Sequence, residues 1–248
     1  MPAVFVHGVP ETPALWDPLL EHLGRADVTC LRLPGFGAAA PAGFDATKEA
    51  YVDWLVDELV AIGEPVDLVG HDWGGGFVAR VACMRPDLLR SWCIDVAGVL
   101  DPEYVWHDVA QLWQTPEVGE QVVEGVLGTP KADRVARFAG LGVSTAQAED
   151  FVDAFDAEMG RCILALYRSA AQPAMHEWSA DVERASAVPG LVLLGADDAY
   201  TGGTKSSERM AALMGARFVA LDGLGHWWML QDPALGAALI RDFWATLN

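Results

Sequence analysis

Basic residues are scarce in this chain: 16 lysines and arginines stand against 35 aspartates and glutamates, a formal net charge of −19. Lysine occurs only as Lys48, Lys131 and Lys205. Nucleic acid and anionic membrane surfaces both demand a basic face, so neither is an expected partner. Cysteine is also sparse. Cys30, Cys83, Cys93 and Cys162 lie in apolar stretches without C-x-x-C spacing, which leaves a metal or redox centre no support, and no cofactor or metal is expected. No apolar run approaches the ~20 residues of a membrane span. The opening Met1-Pro2-Ala3-Val4-Phe5-Val6 enters His7-Gly8 with no basic segment, so a cytoplasmic protein is expected. Neither an internal repeat nor a low-complexity segment appears.

What is present is apolar bulk. Hydrophobic residues make up 52% of 248 positions, enough for one large core. The stretch from Val66 to Gly76, VDLVGHDWGGG, is an apolar run that stops in a glycine-bracketed turn. It reads as a buried strand, a sharp elbow and the start of a helix. The spacing Gly70-x-Asp72-x-Gly74 has the form of a nucleophile elbow, G-x-S-x-G, with aspartate where serine is usual.

That substitution directs the chemistry. A serine needs a neighbouring base, whereas a carboxylate with a reference pKa near ~3.9 is already ionised at neutral pH. Asp72 therefore suits attack on an electrophilic saturated carbon, giving an alkyl ester that water must then cleave. Attack on an ordinary ester or amide would give an unproductive mixed anhydride, which argues against esterase, lipase and peptidase activity. The bland alternative for Asp72 is a turn aspartate or helix N-cap.

Along the chain, strands are expected at Ala3–Val6, 28–33, 66–70, 91–97, 190–195 and 217–221. Helical patterns alternate with them: Leu15, Leu19, Leu20 and Leu23; a helix from Thr47 through Ile62; one through Met84; and one over 233–247 capped by Asp232. Strands alternating with helices imply a parallel sheet covered on both faces. Residues 100–187 are helical and too long for one crossover, with Ser144-Thr145-Ala146-Gln147 as a capping box. The expected organisation is a core of 1–99 and 188–248 with 100–187 inserted as a cap over the carboxyl ends of the strands, where such sheets place their sites.

His226, in Leu221-Asp222-Gly223-Leu224-Gly225-His226-Trp227 after the last strand, is the candidate base that activates the hydrolytic water. Asp198, in Leu194-Gly195-Ala196-Asp197-Asp198, is the preferred acid to orient it, with Asp95 the alternative. The backbone N–H groups of Val9 and Trp73 are candidates to stabilise an oxyanion. His7 is read as a loop brace, and His71 as pointing away from Asp72. The aromatic residues Trp106, Trp113, Phe138, Phe151, Phe155, Tyr167 and Trp178 suggest an apolar pocket for a small-molecule substrate.

The HGVPET loop, the GHDWGG elbow, the GADD turn and the GLGHWW histidine together resemble the α/β-hydrolase superfamily, in particular its aspartate-nucleophile branch of epoxide hydrolases and haloalkane or haloacetate dehalogenases. The resemblance covers residues 3–98 and 188–247. It implies the α/β-hydrolase fold, a mostly parallel sheet flanked by helices with a helical cap. By that resemblance Leu166-Tyr167-Arg168 matches one of two cap tyrosines that donate to an epoxide oxygen, and Tyr104, Trp106, His107 and Trp113 compete for the other place. Trp73, Trp106 and His107 would instead surround a leaving halide in a dehalogenase, and Trp227 adjoins the site. Val9 stands where haloalkane dehalogenases carry asparagine, and Trp73 where haloacetate dehalogenases carry arginine. Epoxide hydrolysis is the leading expectation, dehalogenation the alternative, and a non-catalytic binding protein the third. The resemblance further implies two additional strands before Ala3–Val6. Without them, strand 28–33 is an open sheet edge that a second copy of the chain or residues 34–46 would shield.

Overall fold

The computed structural model describes residues 1–247. Six strands form one sheet in the order β2-β1-β3-β4-β5-β6, every neighbouring pair parallel. They are β1 (Ala3–Val6), β2 (Val28–Leu31), β3 (Val66–Gly70), β4 (Leu89–Ile94), β5 (Gly190–Gly195) and β6 (Arg217–Leu221). The first helices are α1 (Asp17–Leu23), α2 (Lys48–Ile62) and α3 (Trp73–Met84). Between β4 and β5 run α4 (Asp108–Gln114), α5 (Val118–Gly128), α6 (Lys131–Gly140), α7 (Thr145–Ala154), α8 (Ala157–Ser169) and the short α9 (His176–Ser179). The chain continues with α10 (Gly203–Leu213), α11 (Trp228–Gln231) and α12 (Pro233–Ala245). No helix among the described residues is long and apolar enough to cross a membrane.

Strand side chains alternate between two cores. Val4, Val6, Leu68 and Val192 pack on one face of the sheet, and Ala3, Phe5, Val69, Leu191 and Leu193 on the other. Every residue of β3 is buried, which is why its sequence reads as a nearly continuous apolar run. Its one charge, Asp67, is met at the amino end by Arg25, Arg90 and the Ser91 hydroxyl.

Helix ends follow the caps written in the sequence. The Thr47 hydroxyl accepts from Ala50 N at 3.2 Å to open α2, and Asp232 accepts from Leu235 N at 3.0 Å to open α12. Tyr51, Leu55 and Leu59 of α2 face the core, each contributing about 2 kcal/mol by burial. Two strands end earlier than their hydrophobicity suggests, at Leu31 rather than Leu33 and at Ile94 rather than Ala97. The apolar run continues in both places because Leu33 and the single turn Ala97–Leu100 are buried as well. At the sheet margin, β2 exposes Thr29 and half-buries Val28 and Cys30. Phe36 and Phe44, from the segment 34–46, pack on Tyr51.

Candidate active site

The parallel sheet brings five strand ends to one side, and each supplies a piece of the site. Asp72, just past β3, has φ 51° and ψ −125°, a conformation an L-residue adopts only under strain, and its side chain caps no helix N–H. The turn-aspartate and N-cap alternatives therefore lose their footing. A Cβ on Gly70 would lie 2.4 Å from Gly74 O, and one on Gly74 would lie 2.3 Å from Val6 O. The glycines thus let β1, β3 and α3 converge beneath the elbow.

Asp72 Oδ1 accepts from Val9 N at 2.8 Å, and the backbone N–H of Trp73 also acts on this carboxylate. Asp72 Oδ2 faces His226 Nε2 at 3.8 Å. On the other side of that ring, His226 Nδ1 lies 2.8 Å from Asp198 Oδ2, while Asp198 Oδ1 accepts from Tyr200 N at 2.7 Å. With Nδ1–H donated to Asp198, the His226 Nε2 lone pair points toward Asp72.

Burial raises the Asp72 pKa from 3.8 to about 6, although the neighbouring His226 and His71 charges pull it down. Burial works against a charged His226, but Asp198 and Asp72 outweigh it and the pKa ends above 6.5. Burial likewise opposes ionisation of Asp198, and contact with His226 overcomes it, so the carboxyl sits below its usual range.

Asp95 does not orient His226. Its Oδ2 lies 2.5 Å from His71 Nδ1 and accepts from Trp228 Nε1 at 2.8 Å, while its Oδ1 accepts from Asp72 N at 3.1 Å. This corrects the alternative assignment, because the neighbouring histidine on the elbow has claimed Asp95. His71 Nε2 reaches Glu11 Oε1 at 3.1 Å, and Glu11 also accepts from Trp227 Nε1 and Gly8 N. Burial disfavours charge on His71, yet two carboxylates raise its pKa well above 6.5. Burial also opposes a charged Glu11, and His71 pulls its pKa down to about 2. The result is a buried imidazolium held between two carboxylates, its ring centroid 4.6 Å from that of His226.

Glu11, His71 and His226 bring their ligand atoms within 4.8 Å of one another. Both His71 nitrogens are donors in the carboxylate pairs, so this ring has no lone pair for a metal. His7 braces the loop as expected, contacting Gly8 O through Nδ1 at 2.9 Å and accepting from Leu33 N at 3.1 Å. Glu11 and Tyr200 escaped the sequence reading. The glutamate of the HGVPET loop was the available signal for the first, and Tyr200 had none.

A cavity of about 120 Å³ opens above Asp72 and His226, walled by His107, Trp113, Tyr167 and Trp227. Tyr167 lines this cavity, its ring set edge-on to that of Trp73 at 5.4 Å. Burial, reinforced by the Asp72 charge, holds its pKa well above 10 and keeps it neutral. His107 Nδ1 accepts from Ala110 N at 3.2 Å, which puts its proton on Nε2. Two expected substrate contacts change role. The Tyr104 hydroxyl donates to Tyr200 O at 2.6 Å, and the Trp106 indole N–H donates to Ala170 O at 3.0 Å, so both donors serve the backbone. The Trp106 ring instead stacks on Trp73 at 5.6 Å and lines a space of about 30 Å³ on the other flank of Asp72.

A parallel sheet with its strained elbow after the central strand and a histidine after the last one defines an α/β-hydrolase architecture. The alpha/beta hydrolase family model matches residues 3–239, and the chain belongs to that family. Lipase LipV of Mycobacterium tuberculosis is 28% identical over 257 residues, spanning 95% of this chain and 90% of that protein. The (E)-2-((N-methylformamido)methylene)succinate hydrolase of Acinetobacter baylyi is 30% identical over 95 residues, only 38% of this chain and 36% of that protein. Among solved structures, haloalkane dehalogenase DbeA of Bradyrhizobium elkanii superposes with a TM-score of 0.74 at 18% identity, covering 99% of this chain and 91% of that one.

Proposed function

We propose that the protein is a cofactor-independent hydrolase working through an alkyl ester of Asp72, and that halogenated carbon compounds are its substrates. One observation carries the reading: a carboxylate, not a hydroxyl, occupies the apex of the strained elbow, 3.8 Å from His226 Nε2. Asp72 Oδ2 attacks the saturated carbon, and the halide departs with the bonding pair toward the donors of Tyr167 and His107. Water then adds to Asp72 Cγ as His226 Nε2 takes its proton. Negative charge collects on Oδ1, which the Val9 N–H stabilises, with the Trp73 N–H adding to the field at the carboxyl group. Collapse expels the alkoxide, protonated by His226, so halide plus water gives alcohol, halide ion and a proton.

The step also resets His226. Esterification removes the Asp72 charge that helped raise its pKa, which shifts the ring toward its neutral form when a base is needed.

Epoxide opening, the leading expectation from sequence, becomes the second reading. An epoxide oxygen leaves as an alkoxide that needs an acid, and of the two hydroxyls considered, Tyr104 is engaged by Tyr200 O. Tyr167 favours this reading, since it lines the cavity beside Asp72 and burial keeps its hydroxyl protonated. Fold does not fix function, so a binding protein without turnover is argued for or against at the site itself. The joint presence of Asp72, His226 and Asp198 in mutual contact weighs against it.

The test is His226→Gln incubated with haloalkane, haloacetate and epoxide panels, followed by intact-mass measurement. Without the base, the ester should accumulate on Asp72. Substrate mass minus hydrogen halide supports dehalogenation, and the whole substrate mass supports epoxide opening. A folded variant with no adduct from any panel removes the reading.

A further inference from the structure

A second cavity, of about 170 Å³, lies beside the catalytic one, and Pro10 and Trp113 line both. Its walls are apolar, with Val126 from α5, Phe138 from α6, and Phe151 and Phe155 at α7. Two guanidinium groups break that apolar lining: Arg134 and Arg137, one helical turn apart on α6.

Among the described residues most arginines of this acid-rich chain pair with a carboxylate, as Arg25 does with Asp27, Arg168 with Glu120 and Arg209 with Asp101. Lys131, on the same helix, pairs with Asp153. Among the described residues neither Arg134 nor Arg137 has a carboxylate partner. Arg134 donates one N–H to Val152 O and lies 5.9 Å over the Phe155 ring, while its Nε is buried with no hydrogen-bond partner. A buried guanidinium N–H without an acceptor is costly, and a carboxylate is the anion whose geometry matches the fork.

Resting on the Asp72 reading, we propose that the substrate is an apolar acid: its electrophilic carbon sits at Asp72, its hydrocarbon chain passes Pro10 and Trp113, and its carboxylate reaches Arg134 and Arg137. The half-buried Arg134 and the exposed Arg137 supply the charge, while the apolar walls hold the hydrocarbon chain, contacts that a short acid lacks.

Calorimetric binding of octanoate and of its neutral isostere octanamide separates this from the chemistry at Asp72, because neither ligand reacts. Octanoate should bind about tenfold more tightly than octanamide to the unmodified protein. Arg134→Gln/Arg137→Gln should bring the two within about twofold, and Arg137→Gln alone, at an exposed position, should remove part of the preference. Val126→Trp, which fills the cavity, should weaken octanoate. Equal binding of the two ligands, no binding of octanoate, or a preference that survives in the double variant overturns the proposal. ω-Bromooctanoate with His226→Gln reads the other question. Octanoate binding without an Asp72 adduct faults the ester chemistry and leaves the cavity assignment standing, whereas an adduct without carboxylate preference does the reverse.

Discussion

At Asp72 the protein keeps a carboxylate that folding itself disfavours. Its pKa rises from 3.8 to about 6, so the stability cost is absent below 3.8 and grows as pH climbs to about 6. At neutral pH that cost is on the order of 3 kcal/mol. Asp72→Asn should therefore melt higher than the parent near neutrality and lose the gain below the carboxylate's ordinary range, while forming no ester. A set of melts against pH, alongside adduct mass, checks both. The same shift sets a rate limb: single-turnover alkylation should rise with pH and level off above about 6. Under the proposed mechanism ester hydrolysis needs neutral His226, whose raised pKa in the resting protein owes most to Asp198 and a further part to the Asp72 charge that the ester removes. The acid limb of kcat should consequently lie below the His226 titration seen by NMR in the resting protein. Residue identities were legible where a motif bound them to a turn, as with Asp72 and His226. The choice between Asp95 and Asp198 was not, because both follow strand ends, and what separates them is that His71 occupies Asp95.

Between elements, the Glu11–His71–Asp95 cluster ties the β1 loop, the elbow, the end of β4 and α11 together. Glu11, lowered from 4.5 to about 2, contributes stability that is present above 4.5 and lost as pH falls toward 2. Glu11→Gln should flatten that acid window and cost about 3–5 kcal/mol at neutral pH, since it strips one counter-charge from a buried imidazolium. Urea unfolding across the pH range reads both effects. An acid loss as steep as the parent's would show that the window belongs to other carboxylates. Helices were easier to read than this cluster. Thr47, Ser144 and Asp232 each accept the N–H that their sequence position promises. A glutamate in a loop and a histidine beside an elbow carry no such local signature, because their partners are set by tertiary packing.

For the whole molecule, two consequences follow from charge and topology. With 35 acidic residues against 16 basic ones, self-repulsion opposes compaction, and added salt should raise the melting temperature until screening is complete. The margin at β2, with Thr29 exposed, offers unpaired backbone to another strand. We expect this edge to meet its equivalent in a second copy, and Thr29→Pro to shift a dimer toward monomer in light scattering. A parent that is monomeric at every concentration would remove that expectation.

The hydrogen bond from Val9 N to Asp72 Oδ1 distinguishes the two oxygens of one carboxylate. Under the ester mechanism, the first alcohol molecule released carries an atom of the protein, not of the solvent. In water enriched in heavy oxygen, the vacated position refills from solvent and is spent on the next turnover, while the anchored oxygen stays light. An enzyme recovered after many cycles should hold one heavy atom at Asp72 if the carboxylate never flips, and two if it does. Isotope content thus becomes a clock for the rotation of a single side chain.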